Sequence, residues 1–235
     1  MSEPCRILDW DTAFFGIRIA RVCGRRVSAG EMPAVLDWCA GERVRCLYLL
    51  AAADDAETAS SAESHGFHLV DIRVTLGREA ANYGMPGGVR AARAEDVPEL
   101  EKIAASSHTD SRFYFDGNFP RSRCAELYAA WIRQSCAGDA QAVLAIEREG
   151  RPAGYITCHW DGETGRIGLL AVAEWARGSG AGRALVEGAI STFDAQGARG
   201  VSVVTQGRNL ASQRSYQRCG FVTQSVELWY HRWFA

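Results

Sequence analysis

Apolar positions along this chain keep two rhythms. Runs dense in leucine, β-branched and aromatic residues occupy 46–51, 67–76, 153–160, 167–172, 201–205 and 222–234, and these read as strands. Between them the apolar residues fall on helical faces. Leu127, Ala130, Trp131 and Gln134 share one such face, and Leu185, Val186, Ala189, Ile190 and Phe193 share another. Shorter helical patterns cover 32–40, with Pro33 in the first turn, 56–65, 94–105, with acid at the entry, and 210–219. Gly66, Gly197 and Gly220 stand where three of these helices stop. Short strands at 89–93 and 142–147 complete the pattern, the second joined to 153–160 by a hairpin-like turn through Glu149, Gly150 and Arg151. Residues 7–22 read as a strand that carries an aromatic plug, Trp10, Phe14 and Phe15, for the core.

The first elements make a β-α-β-α-β block that ends in AANYGMPGG at 80–88, where glycine, proline and asparagine cluster. The pattern then restarts. We therefore expect an α/β (α+β) protein with a smaller N-terminal α/β domain over 1–84 and a larger domain over 88–235. Strand 201–205 should lie parallel to 167–172, because a helix separates them. In the last strand Val226, Leu228, Tyr230 and Arg232 alternate with Glu227, Trp229, His231 and Trp233. So aromatic a strand fits either the interior of a sheet or a homodimer contact.

Composition narrows the function. A net charge of −2 over 235 residues gives no general attraction to nucleic acid or to an anionic membrane. The apolar runs are too short to span a bilayer, and the first residues, with Glu3, Pro4 and Asp9, carry no signal-peptide pattern, so a cytoplasmic enzyme is expected. The eight cysteines are scattered without a CxxC pair and read as reduced, mostly buried side chains. His65 and His68 have no further ligand at metal-site spacing, so no metal is expected.

Chemistry concentrates between strand 167–172 and the helix that follows. The turn RGSGAG at 177–182 puts glycines just before a helix start, where unpaired N–H groups and the helix dipole attract an anion and no Cβ blocks its approach. A Walker loop is excluded because Gly182 is followed by Arg183 and no Lys-Ser/Thr pair. The dinucleotide fingerprint is excluded because its third glycine would fall on Arg183. A diphosphate site and a plain structural turn stay open. The loop SRFYFDGNFP at 111–120 offers Arg112, Phe113 and Tyr114 as substrate contacts, with packing as the other reading.

The order of strand, Arg-x-x-Gly-x-Gly, helix, strand, Asn209, a helix with Tyr216, then Cys219, Gly220 and Phe221 and a last strand resembles the GCN5-related N-acetyltransferase (GNAT) superfamily, from about Val89 to the C-terminus. Within it the chain is similar to the dTDP-fucosamine acetyltransferases, through LDWDTAFFG at 8–16, GFHLV at 66–70, SRFYF at 111–115, YAAWI at 128–132, RIGLLA at 166–171 and TQGRNLASQRSYQRCG at 205–220. The stretch 172–176 looks longer here, and the acceptor-side loop matches only in patches. The resemblance implies a mixed central sheet of GNAT type, an N-terminal domain that is partly GNAT-like on the acceptor side, and acetyl-CoA as co-substrate. It implies that the main chain of Leu169, Leu170, Ala171 and Val172 pairs with pantetheine. The diphosphate would rest on Gly178, Gly180, Ala181, Gly182 and Arg183, with Arg177 adding charge. Asn209 would both cap its helix and meet the cofactor, and Arg214 would touch a phosphate. Tyr216 would protonate the departing thiolate. Asp71 would assist amine deprotonation, with Glu227 as the other carboxylate to consider. The implied acceptor is the amine of a nucleotide-linked amino sugar. A protein N-terminus, a small amine such as an aminoglycoside, and a non-catalytic acyl-CoA sensor remain alternatives.

Overall fold

Residues 3–235 are described by the structure, a computed structural model. The chain opens with β1 (Cys5–Ile7), α1 (Asp9–Phe15), β2 (Ile19–Val22), α2 (Met32–Gly41), β3 (Cys46–Ala52), α3 (Ala56–Ser64) and β4 (His68–Glu79). It continues through β5 (Val89–Ala91), α4 (Val97–Ser107), α5 (Arg112–Phe115), α6 (Arg121–Gln134), β6 (Ala142–Arg148), β7 (Arg151–Trp160) and β8 (Thr164–Val172). α7 (Ala181–Ala195), β9 (Gly200–Gln206), α8 (Leu210–Arg218) and β10 (Val222–Trp233) finish it.

Packing divides the chain at Arg73, within β4. One unit holds residues 3–73, 206–208 and 226–235; the other holds 74–205 and 209–225. The glycine-rich stretch expected to be the boundary belongs to the second unit. There Ala80 N–H donates to Arg199 O at 2.8 Å, and Ser191 Oγ of α7 accepts from Tyr83 N–H and donates to Gly84 O, each at 3.0 Å.

In the first unit the sheet order is β1-β2-β3-β10, with β2 and β3 parallel and the other pairs antiparallel. Leu47, Leu49, Met32, Val35, Cys39 and Tyr230 form its core. The last strand is paired to β3 from Glu227 opposite Ala52 to Trp233 opposite Cys46. With Tyr230 and His231 buried, its aromatic content is largely used inside the unit.

One expectation here needs correction. Residues 9–15 are a helix with no buried residue, and the strand is confined to Ile19–Val22. Asp9 and Asp11 favour the helix N-terminus, Gly16 closes it with φ 69°, and Trp10 stacks on Phe14 one turn along at 5.0 Å. The three aromatics are half-buried on that helix and do not plug the core.

The second unit has the order β9-β8-β7-β6-β5, antiparallel except for β8 with β9. In both units the strand pairing is thus mixed. α7 lies on these strands of the second unit with Leu185, Val186, Ile190 and Phe193 buried against Leu144, Ile156, Val201 and Val203. Each such side chain contributes about 1.5–3 kcal/mol of burial. A Cβ at Gly165 would fall 2.3 Å from the Phe193 ring, so glycine there lets helix and strand approach. Among the described residues no helix is long and apolar enough to cross a membrane.

Candidate active site

β8 begins as a parallel partner of β9, Thr164 opposite Gly200, and that register runs only to Ile167 opposite Val203. Both strands continue beyond it. On its other edge β8 pairs with β7 along its length, but Ile156 faces Leu170 while Cys158 faces Ile167. Gly168 and Leu169 therefore share one partner, Thr157, which makes a β-bulge on β8. A bulge bends and twists its strand, and this one sits where the pairing to β9 ends. The Leu169 N–H turns aside to Thr157 Oγ1 at 2.8 Å. Past the bulge Leu170, Ala171 and Val172 line a cleft of about 660 Å³, offering backbone groups that a ligand can pair.

The glycine turn forms the next wall. Gly178 and Gly180 take φ of 79° and 82°, conformations that side chains resist, and Gly180 is the N-cap of α7. Gly178, Gly180, Ala181, Gly182 and Arg183 line the same cleft, so the unpaired N–H groups of the first turn of α7 border it. Arg177 lines it too, whereas Arg183 directs Nε to Glu187 at 2.7 Å.

α8 supplies the opposite side. Asn209 Oδ1 accepts from Ser212 N–H at 3.0 Å, a side-chain N-cap. Asn209, Ala211, Ser212, Ser215 and Arg218 face the cleft. Tyr216 follows Ser215 but is not among the lining residues. Only 4% exposed, it packs in the core with its ring 5.7 Å from that of Phe221. Burial, and then Cys219, pushes its phenol well above the usual range, so it stays protonated. Arg214 does not line the cleft either; Arg218, one turn later, does.

The end of α4 closes the cleft with Ser107, Thr109 and Asp110, which sequence reasoning missed. No local motif marks them. Ser212, Ser215 and Arg218 could have been found by stepping along α8 from Asn209 at helical spacing.

Arg112, Phe113 and Tyr114 line no part of this cleft. Phe113 is buried edge-to-face on Phe119 at 5.4 Å, Arg112 lies over the Phe113 ring at 4.1 Å, and the Tyr114 hydroxyl donates to Ala105 O at 3.4 Å. In the first unit Asp71 is buried; its Oδ1 accepts from Ile72 N–H at 2.9 Å and lies 3.7 Å from Arg208. Glu227, 2% exposed, is held between Arg25, at 2.8 Å from Oε1, and Arg73, which donates to Oε2.

The model of the acetyltransferase (GNAT) family matches residues 101–221. The chain is 26% identical over 138 residues to the spore coat polysaccharide biosynthesis protein SpsD of Bacillus subtilis, covering 59% of this chain and 48% of that one. It is 24% identical over 192 residues to mycothiol acetyltransferase of Beutenbergia cavernae, covering 77% and 65%. The chain thus spans about half to two thirds of the length of these curated relatives. A GCN5-related N-acetyltransferase from Sphaerobacter thermophilus has the same fold, with a TM-score of 0.67, 16% identity and coverage of 97% of this chain and 76% of that one.

Proposed function

The chain belongs to the acetyltransferase (GNAT) family, and from that premise we propose that it transfers acetyl from acetyl-CoA to the amine of a nucleotide-linked amino sugar. The observation that carries the donor half of this reading is the coincidence of three features in one cleft. These are the bulge that parts β8 from β9, the glycine turn at the N-terminus of α7, and the polar face of α8.

In this reading the pantetheine arm pairs with main chain at Leu170, Ala171 and Val172, and the diphosphate rests on amides of Gly178 to Arg183. The neutral amine attacks the thioester carbonyl carbon, its surplus proton passes to solvent water, and the tetrahedral adduct collapses to the amide with loss of the CoA thiolate. Tyr216, kept protonated by burial, is the proposed proton donor to that sulfur. Its support is its place beside the cleft-facing Ser215 and the family resemblance. Replacing it with phenylalanine should lower kcat by about 10²–10⁴-fold, the usual range for general acid catalysis, with the Kd for CoA unchanged. Unaltered turnover would remove Tyr216 from that role.

For the acceptor, the support is the polysaccharide-biosynthesis name of the first relative. The mycothiol acetyltransferase favours a second reading, a small amine of the mycothiol kind. Release of free thiol from acetyl-CoA, followed against nucleotide-linked amino sugars, aminoglycosides and a peptide N-terminus, separates these. Turnover with the nucleotide sugars alone is the expected result. CoA binding without turnover on any amine would favour a sensor.

A further inference from the structure

Positive charge in the cleft extends past the place where a diphosphate would sit. Three arginines line it, Arg177, Arg183 and Arg218, against the carboxylate of Asp110. Arg183 is engaged by Glu187, while Arg177 and Arg218 have no salt-bridge partner among the described residues. Arg177 belongs to the glycine turn itself. Arg218 is the last residue of a different helix, α8, and is exposed.

One contact and one backbone turn in its neighbours mark the helix end that carries Arg218. Arg78 donates to the carbonyl of Cys219, closing the end of α8, and Gly220 turns the chain away with φ 82°. α8 packs on α7, and both Arg183 and Glu187 are near enough to act electrostatically on the Cys219 thiol. The last turn of α8 therefore stands beside the first turns of α7, next to the amides that would hold the diphosphate.

Coenzyme A carries a second anion separate from its diphosphate: the 3′-phosphate of its ribose, with a charge of about −1.5 to −2 at neutral pH. Backbone amides and a helix dipole suit the bridged diphosphate. A terminal phosphate matches the planar fork of a guanidinium, which can meet two of its oxygens at once. We propose that Arg218 holds the 3′-phosphate of the donor and makes the protein select 3′-phosphorylated coenzyme A over its dephospho form. This rests on the acetyl-CoA reading above.

Titration calorimetry of the full chain with CoA and with 3′-dephospho-CoA tests it. The wild type should bind CoA about 10–100-fold more tightly, the range of one charged contact. Arg218→Gln should bring the two affinities together, and Arg218→Lys should restore part of the difference. Equal affinities in the wild type, or a preference that survives Arg218→Gln, would overturn the proposal. If the Gln variant fails to fold, the wild-type ratio alone decides, equal binding being fatal. Should the wild type bind neither compound, the acetyl-CoA reading falls and this inference with it.

Discussion

His108 caps the end of α4 just before the cleft residues Thr109 and Asp110, and its ring is spent on packing. Nε2 is 2.9 Å from the Tyr155 hydroxyl, the ring stacks on Tyr128 at 4.4 Å, and burial lowers its pKa to about 4. An unfolded histidine titrates near 6.5. Between the two values the unfolded chain binds more protons, so stability rises with pH; the contribution is complete above about 6.5 and lost as pH falls through 4. Part of the residue reaches the surface, so the loss is about 2 kcal/mol and smaller than full enclosure would give. Urea unfolding at pH 7 and pH 4.5 should show it, and His108→Gln should flatten that difference. A variant that loses as much as wild type across the interval would refute it. Glu227 is the opposite case, a buried carboxylate between two arginines. Glu227→Gln leaves Arg25 and Arg73 without their shared anion and should cost about 3 kcal/mol in denaturant unfolding. A change below about 0.5 kcal/mol would show that solvent already screens the group.

At the scale of elements, the glycine turn separates folding from binding. Gly180 has φ 82°, so Gly180→Ala strains the backbone by about 1–2 kcal/mol. Gly182 has a negative φ, and a Cβ there would meet Val172 Cγ2 at an ordinary 3.7 Å. Gly182→Ala should therefore keep the melting temperature of wild type while weakening CoA binding, because the new methyl enters the cleft. A lower melting temperature with unchanged affinity would mean the turn is structural only. Gly154 is a third case: its Cβ would lie 2.6 Å from Ala171 O, so Gly154→Ala should push β7 off the very strand that lines the cleft. Strand, turn and helix were readable here because each depends on neighbours in sequence. The bulge was not. Gly168 within a strand is its one local mark, and the shift shows only when β7 and β8 are laid side by side.

For the molecule as a whole, the division into units shows where reading along the chain stops working. A cluster of glycine, proline and asparagine looks like a linker, yet residues 80–88 are fastened to α7 and to Arg199. The last ten residues belong with the first seventy because β10 supplies the partner of β3 and places Tyr230 in that core. Removing residues 226–235 should expose residues 3–73 to proteolysis and to rapid amide exchange, while the core around α7 keeps its protection. Uniform protection after truncation would show that the first unit does not need the strand.

The amino-acid sequence by itself determined the alternation of strands and helices, the glycine turn and the cap at Asn209, since these follow from local periodicity and from what each backbone position tolerates. It also carried the family. Tertiary structure alone decided that β8 leaves β9 at Ile167, that Arg218 and not Arg214 reaches the cleft, and that Phe113 is spent on packing. Those outcomes depend on which distant segments meet, and the energies of such contacts are shared among residues far apart in the chain.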